Sequence, residues 1–288
     1  MRYFLLFTLI VYNMSEPWPI IGVVGCGTIA AAVVEGLCKL ESPPARIILC
    51  PRSAAKTSML ASTYGNICSV AESNQAVVDA SEVVLVGLRT QVVEQVLASL
   101  QFTNQAQQIV TMTSCIDVDK MAEMVKLPVA NVAKAVPLPA VATHRGITVT
   151  TGQPAINERI FSQLGGCQPV KNEYEMQSIQ VMTCMMGPVY KFLETASGFM
   201  ISRGVPSQVA SQYTARCMQT IMADALDRCP KGREGFTELV KEQTPGGLNE
   251  TNISDLADAG VFEAYERSLQ KTVDILSGSV SLKKDDEE

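Results

Sequence analysis

Short apolar runs alternate with amphipathic stretches through the first half of the chain. The runs are rich in Val and Ile and are bounded by Gly, Pro or polar residues, which predicts β-strands, while the stretches between them repeat their apolar positions at helical spacing. The predicted strands lie at residues 20–24, 46–50, 66–69, 82–88, 108–112, 131–136 and 147–150, and the predicted helices at 29–40, 53–64, 74–80, 92–100 and 118–125. This alternation predicts the α/β class, with an N-terminal Rossmann-type parallel sheet.

The pattern changes after about residue 165, where strand signals fade and long helical periodicities begin. We predict helices at residues 173–203, 207–227, 235–242 and 253–276, with Pro188 kinking or breaking the first of them. In the second, apolar residues recur every four positions: Val209, Tyr213, Cys217, Ile221 and Ala225. Such a stripe indicates either an ordinary helical bundle or a C-terminal all-helical dimerisation domain, and the second interpretation predicts a homodimer.

The domain organisation predicted from these shifts has four parts. They are an N-terminal extension (residues 1–17), a Rossmann domain (18–165), a helical dimerisation and substrate domain (166–278) and an acidic tail (279–288). Residues 3–12 are apolar but too short to span a bilayer, and no small-x-small cleavage site follows them. We therefore interpret residues 1–13 as a misassigned start, with a targeting segment as the alternative.

Composition excludes several classes of function. The chain has 288 residues and a net charge of −6, which argues against binding to nucleic acid. Nine scattered cysteines without a C-x-x-C spacing, and a single histidine, argue against a metal site. Reduced cysteines are typical of a reducing compartment, so we expect a cytoplasmic protein with no membrane association.

A glycine-rich turn follows the first predicted strand. Residues 25–30 read Gly-Cys-Gly-Thr-Ile-Ala and open a helix, which is the setting of a dinucleotide-binding turn. Gly25 permits the sharp turn, Gly27 lets a pyrophosphate approach the backbone, and Ala30 lets the helix pack on its strand. The N–H groups at the start of the helix, around Thr28 and Ile29, would receive the phosphates.

The end of the second strand indicates which cofactor binds. A carboxylate there would bind the ribose 2′-hydroxyl of NAD, but this chain has Arg52 and Ser53, with Lys56 close behind. A cation and a hydroxyl suit a 2′-phosphate, so the sequence favours NADP(H) over NAD. The alternative is that Arg52 is simply a solvated loop residue.

The arrangement of these motifs resembles the pyrroline-5-carboxylate reductase family from about residue 20 to residue 276. The matching segments are residues 21–30, Asn74 ahead of the fourth strand, residues 187–190 (Gly-Pro-Val-Tyr), residues 245–247 (Pro-Gly-Gly) and residues 256–262. The resemblance implies an NAD(P)H-dependent imine reductase, most simply one that reduces pyrroline-5-carboxylate to proline. It also implies interlocking homodimers, assembled in some members into decamers, and it adds Asn74, Leu88 and Arg89 to the cofactor residues.

The substrate side departs from the family pattern. The family's Ser-Pro-Gly-Gly-x-Thr loop reads Thr-Pro-Gly-Gly-Leu-Asn at residues 244–249. The resemblance assigns Thr244, Gly246 and Gly247 to holding the substrate carboxylate, and Asn249 to orienting the imine nitrogen. Two methionines, at 185 and 186, replace small residues of the family, and residues 136–139 shorten its Met-Pro-Asn-Thr-Pro segment.

Two further functions remain open at the level of sequence. The chain could be a 3-hydroxyacid dehydrogenase-like enzyme with Lys191 as its acid, or a non-catalytic NADP-binding homologue. Other polar and sulfur-containing residues have ordinary structural interpretations: His144 as a solvent-facing loop residue, Tyr190 as a packed residue, Lys191 as a solvent-facing residue, and Met182, Met185 and Met186 as core.

Overall fold

The computed structural model describes residues 17–152 and 154–281, which form two compact units. The first unit runs to Gln180 and includes Leu276–Ser279, and the second contains Val181–Ile275. The N-terminal extension up to residue 16 and the charged tail from residue 282 lie outside the described residues, so the interpretations of both stay predictions.

The first unit is built on an eight-stranded sheet. Its order is β3-β2-β1-β4-β5-β6-β7-β8, and every neighbouring pair is parallel except the antiparallel pair β6–β7. Along the chain the elements are β1 (Ile21–Val24), α1 (Thr28–Cys38), β2 (Ile47–Leu49), α2 (Ala54–Thr63), β3 (Cys68–Val70), α3 (Asn74–Asp79), β4 (Val83–Val86), α4 (Thr90–Ala98), β5 (Gln108–Thr111), α5 (Val118–Val125), β6 (Val132–Val136), β7 (Thr148–Gly152), α6 (Pro154–Phe161), β8 (Cys167–Pro169) and α7 (Glu173–Gln180).

The core of this unit lies at the middle of the sheet. Strands β1 and β4 are buried along their whole length, as expected for parallel strands with helices on both faces. Helix α1 also buries most of its residues, because Ala and Val let it pack close to the sheet. The predicted Rossmann-type α/β fold is therefore confirmed, with the correction that β7 runs antiparallel to its neighbour β6.

The structure moves the boundary between the two parts of the chain. The sequence places it at residue 165, but β8 pairs with β7 and α7 packs on the same strand, so both elements belong to the first unit. A buried ion pair holds α7 in place, with the Nζ of Lys134 2.6 Å from Oε1 of Glu173. The Lys134 side chain is fully buried, so the pair is shielded from solvent screening.

The second unit is helical throughout its regular elements. Its helices are α8 (Met186–Ser202), α9 (Ser207–Arg228), α10 (Arg233–Lys241), α11 (Leu248–Asp258) and α12 (Val261–Leu276), the last of which ends in the first unit. The long helix predicted at 173–203 is interrupted by a 3₁₀ turn at Val181–Met185. Pro188 follows this break and lies in the first turn of α8, where its missing N–H costs nothing.

A second predicted helix is also divided. The sequence predicts one helix over residues 253–276, whereas the structure has α11 and α12 separated by Gly260, whose φ is +69°. A left-handed residue of this kind ends a helix, and glycine adopts it without steric cost. The start of α11 at Leu248 was missed because Leu248, Asn249 and Glu250 show no apolar periodicity.

The apolar stripe of α9 faces outward in the single chain. Val209, Tyr213 and Ile221 are 54%, 66% and 50% exposed, and Cys217 is also exposed. The buried positions of this helix are instead Ala210 and Thr214. The periodicity seen in the sequence is therefore a surface feature of the isolated unit.

Candidate active site

A cavity of about 390 Å³ lies at the carboxyl ends of the central strands. In doubly wound sheets this edge is where ligands bind, next to the point at which the strand order reverses. The reversal occurs here at β1, which has β2 on one side and β4 on the other. The cavity is lined by Gly25, Gly27, Cys50, Arg52, Ser53, Asn74, Gly87, Leu88, Arg89, Val92 and Val96.

The turn after β1 forms the floor of this cavity. Gly25 has φ +88°, a conformation that side chains strongly disfavour. A Cβ added there would lie 2.7 Å from Cδ2 of Leu88 and 2.9 Å from the carbonyl carbon of Gly87. Gly25 is therefore required by the fold itself, and its N–H donates to Sγ of Cys50 at 3.3 Å.

Gly27 differs from Gly25 in that the fold tolerates a side chain at its position. Its φ is −72°, and an added Cβ would meet only the carbonyl oxygen of Gly87, at an ordinary 3.6 Å. Gly27 caps α1, whose first turn has no acidic residue and no side-chain cap. The helix start thus presents N–H groups and the positive end of its dipole without an internal acceptor, which suits an anion.

The polar residues after β2 lie beside the same helix start. Nζ of Lys56 donates to Oγ1 of Thr28 at 2.9 Å, which brings two predicted cofactor residues together. Ser53 caps α2 in the left-handed region at φ +68°, an unusual conformation for a residue other than glycine and one often found at functional sites. Arg52 and Ser53 are both exposed at the rim of the cavity.

Asn74 supplies an unpaired acceptor to the cavity. It is the first residue of α3, and its Oδ1 is buried without a hydrogen-bond partner among the described residues. A buried acceptor of this kind normally has a partner, so a ligand donor is the natural one. A dinucleotide that carries an additional phosphate fits this set of groups, which comprises the glycine turn, the free N–H groups of the helix, the cations and this acceptor.

The structure brings most of the predicted cofactor residues to one place. Seven of them line the cavity. Thr28 and Lys56 lie beside the cavity and are hydrogen-bonded to each other. Ala30 is buried against Gly87, so close that a Cβ on Gly87 would collide with the Ala30 side chain. Ile29 is half-buried in the first turn of α1. Sequence analysis missed Cys50, Gly87, Val92 and Val96, although Cys50 and Gly87 directly follow strands β2 and β4, which is the position where ligand contacts are expected.

A larger cleft, of about 710 Å³, lies between α4 and α5. Its charged lining residues are of both signs: Glu94, Lys120, Glu123 and Lys126. The cleft has no glycine turn and no helix start like that of α1. The smaller cavity is therefore the better candidate for a cofactor site.

The predicted substrate residues lie in the second unit, at the start of α11. The N–H of Gly246 donates to Oε2 of Glu250 at 2.6 Å, and the N–H of Gly247 donates to the carbonyl of Thr244 at 2.9 Å. Nδ2 of Asn249 donates to Oε1 of Gln243 at 2.8 Å. The four predicted residues thus form one bend, but the amides expected to hold a carboxylate already have acceptors within the chain.

Other polar and sulfur-containing residues are placed differently from expectation in three cases. His144 is half-buried rather than solvent-facing, because its Nε2 lies 2.8 Å from the carbonyl oxygen of Gly36 in α1. Met182 and Tyr190 are 57% and 62% exposed, whereas Met185 is buried as predicted. Lys191 pairs with Glu194 on an exposed surface of α8, in agreement with its ordinary interpretation.

The chain resembles known oxidoreductases. Residues 20–114 match a family model described as "NADP oxidoreductase coenzyme F420-dependent". A pyrroline-5-carboxylate reductase from Corynebacterium melassecola is 26% identical over 270 residues, which cover 88% of this chain and 96% of that protein. The chain is thus similar along most of its length to pyrroline-5-carboxylate reductases, at low sequence identity.

Solved structures of pyrroline-5-carboxylate reductases have the same fold as this chain. The reductase of Streptococcus pyogenes aligns with a TM-score of 0.73 and 20% identity, covering 90% of this chain and 98% of that one. A Plasmodium falciparum pyrroline carboxylate reductase with NADP bound aligns with a TM-score of 0.75 and 14% identity, covering 90% and 97%. The expected cofactor, NADP(H), agrees with the family model and with the cofactor in the Plasmodium structure.

Two kinds of feature are absent from the described part of the chain. No helix there is long and apolar enough to cross a membrane. No group of three or more His, Cys, Asp or Glu side chains in these residues is arranged to hold a metal ion.

Gly27→Ala tests the glycine turn without disturbing the fold. The new methyl group has room in the structure, so the melting temperature should stay within about 2 °C of that of the wild type, since one methylene placed without a clash costs little stability. Because the methyl group would stand between a pyrophosphate and the backbone, the Kd for NADPH should rise about tenfold or more. Thermal unfolding and fluorescence titration with NADPH measure the two effects.

Gly25→Ala is the matched control for this prediction. It introduces the same methyl group where it collides with Leu88 and Gly87, so it should lower the stability by roughly 1–3 kcal/mol. Normal NADPH affinity in Gly27→Ala would show that no phosphate approaches this turn.

Arg52→Asp tests which nicotinamide dinucleotide the cavity accepts. A carboxylate at the rim would repel a 2′-phosphate and remove a charge-assisted hydrogen bond, so the Kd for NADPH should rise about 10- to 100-fold while that for NADH changes little. Arg46→Asp makes the same charge change just before β2, at the opposite edge of the sheet, and should alter neither affinity. Equal weakening of NADPH and NADH in Arg52→Asp would show that Arg52 does not contact the 2′-phosphate.

Proposed function

We propose that this protein uses NADPH to reduce a cyclic imino acid, most simply pyrroline-5-carboxylate to proline. The observation that carries the proposal is the match to a curated pyrroline-5-carboxylate reductase over nearly the full length of both chains. The cavity at β1, β2 and β4 supports the cofactor half of the proposal, because its rim carries Arg52 and Ser53 where an NAD-specific site would have a carboxylate.

The residues of the first unit bind and orient the cofactor in this proposal. The turn at Gly25 and Gly27 and the start of α1 hold the pyrophosphate. Arg52, with Ser53 and Lys56 nearby, holds the 2′-phosphate, and Oδ1 of Asn74 accepts a hydrogen bond from the nucleoside. When bound, the reduced nicotinamide supplies the hydride that the imine carbon receives.

The residues of the second unit position the substrate. Asn249 orients the imine through its side-chain amide, and the bend from Thr244 to Gly247 binds the carboxylate. A substrate carboxylate must take the Gly246 N–H from Glu250, whereas Asn249 bonds Gln243 through only one N–H of its amide and need not release it to contact the imine. A protonated cyclic imine is already electrophilic, so this chemistry needs orientation and charge compensation rather than a strong acid.

The decisive assay is the oxidation of NADPH by purified protein in the presence of pyrroline-5-carboxylate, followed by absorbance. The wild type should turn over, and Asn249→Ala should lower kcat/KM by about 10- to 100-fold, since it removes the side-chain amide that orients the reacting group. Binding of NADPH without turnover of this or other cyclic imines would contradict the proposal and favour a non-catalytic homologue.

Asn252→Ala is the matched control for Asn249→Ala. It removes the same exposed amide from the same helix, α11, one turn further along. Its kcat/KM should equal that of the wild type. A comparable loss in both variants would mean that the helix, and not the Asn249 amide, had been perturbed.

We also propose that the helical unit pairs with a second copy of the chain. Soluble monomers rarely expose large contiguous apolar patches, and this unit exposes many large apolar side chains. Besides the α9 stripe they include Tyr190, Phe192, Phe199, Phe236, Val240, Leu256 and Phe262. A homodimer that buries them agrees with the assembly implied by the resemblance, and pairing of dimers would produce the larger oligomers.

Tyr213→Glu should weaken the dimer. Placing a charge on the apolar stripe of α9 should raise the dimer Kd by about 100-fold, since burying an unpaired carboxylate costs several kcal/mol. Sedimentation velocity over a range of concentrations measures the change. Gln219→Glu adds the same charge at an exposed polar position of α9 outside the stripe and should leave the dimer intact. A wild-type monomer at high concentration would refute the interface.

The structure gives less support to a 3-hydroxyacid dehydrogenase. That function needs a helix lysine that is free to act as an acid on the substrate. Lys191 is instead ion-paired with Glu194, and both side chains are highly exposed in the single chain. We therefore keep the imine reductase as the proposed function.

A further inference from the structure

Two buried thiols meet at the end of the cofactor helix. Cys38 is the last residue of α1 and Cys68 is the first residue of β3, and their Sγ atoms lie 3.5 Å apart. Both residues are nearly buried, at 8% and 3% exposure. Thirty positions separate them along the chain, so tertiary structure alone brings them together.

The other cysteines that contact a polar partner do so differently. Sγ of Cys50 accepts from the N–H of Gly25 and donates to the carbonyl of Arg52. Sγ of Cys167 contacts the hydroxyl of Thr150. Within the described residues, Cys38 and Cys68 form the one hydrogen-bonding contact between two thiols, and neither Sγ hydrogen-bonds to any other polar atom there.

We propose that Cys38 and Cys68 are a modification site, a thiol pair that a peroxide converts into an intramolecular disulfide. The Cys68 thiolate attacks one peroxide oxygen and the O–O bond breaks, which leaves a sulfenic acid on Cys68 and releases hydroxide. The Cys38 sulfur then attacks the Cys68 sulfur, the S–S bond forms, and water leaves with the proton of Cys38. In total, two thiols are oxidised, one peroxide is reduced, and two waters form.

The order of these steps follows from the contact between the thiols. Either thiol can donate in this contact; with the Cys38 S–H as donor, the hydrogen bond lowers the pKa of Cys68 and raises the pKa of Cys38. Cys68 is therefore the better nucleophile and Cys38 the resolving thiol. Burial at the base of α1 favours an oxidant as small as hydrogen peroxide over a bulky disulfide such as oxidised glutathione.

The bond would connect two elements that otherwise touch only through packing. Strand β3 is the edge of the sheet and pairs only with β2, while α1 carries the phosphate-binding turn at its other end. A disulfide that closes this segment restricts the unfolded chain, so oxidation should raise the melting temperature by about 5 °C or more, with reversal by dithiothreitol.

The test is peptide mapping of the full-length protein after brief treatment with hydrogen peroxide. The protein is alkylated in denaturant and digested with trypsin without reduction. Cleavage after Lys39 and Arg89 releases Cys38 and Cys68 on separate peptides, so the disulfide appears as a cross-linked pair that dithiothreitol separates.

A matched pair of variants identifies the cysteine that is used. The peptide that ends at Lys39 also contains Cys26, which is buried and not in recorded contact with another thiol. Cys38→Ala should abolish the cross-link, and Cys26→Ala should retain it at the level of the wild type. The circular dichroism spectra of both variants establish that they fold.

Two results would overturn the proposal. One is that both Cys38 and Cys68 of the peroxide-treated wild type are recovered as alkylated thiols. This result counts when the peroxide has oxidised the exposed cysteines of the same sample, which are Cys184, Cys217 and Cys229. The other is a cross-link that persists in Cys38→Ala and disappears in Cys26→Ala.

Discussion

The close approach of two backbone segments is the constraint on which the rest of the candidate site depends. The turn after β1 passes so near the end of β4 that a Cβ on Gly87 would lie 2.4 Å from the carbonyl oxygen of Gly25. The N–H of Gly87 donates to the carbonyl of Val24 at 2.9 Å and holds the two segments together. Side chains are excluded at this contact, so the start of α1 remains open and its N–H groups face the cavity.

The two units use their apolar residues in opposite ways. In the first, Val, Ile and Ala from both faces of the sheet complete a core within the chain. In the second, aromatic and aliphatic side chains of α8 to α12 remain exposed, and the helices bury few residues of their own. Such a unit gains stability from whatever covers it, which is the physical basis for the proposed homodimer.

The predictions of individual elements failed where tertiary contacts, and not local pattern, decide the structure. Strand β8 is three residues long, contains a proline and is largely exposed, so it has none of the Val and Ile runs that identified the other seven strands. It exists because β7 offers it a backbone partner. Two helix breaks, at Val181–Met185 and at Gly260, fall inside stretches whose helical periodicity is continuous. Such a periodicity shows which face of a helix is apolar, but it does not show where one helix ends and the next begins.

By itself, the sequence determined the Rossmann-type sheet, the glycine turn and the residues that meet around it. Those features are local, because the alternation of apolar runs dictates strands and helices, and the ends of parallel strands must share one edge. Only the tertiary structure decided that the Gly246 and Gly247 amides have acceptors within the chain and that Cys38 meets Cys68. Each of these depends on the distance between atoms far apart in sequence or on the exact path of a bend, and packing sets both.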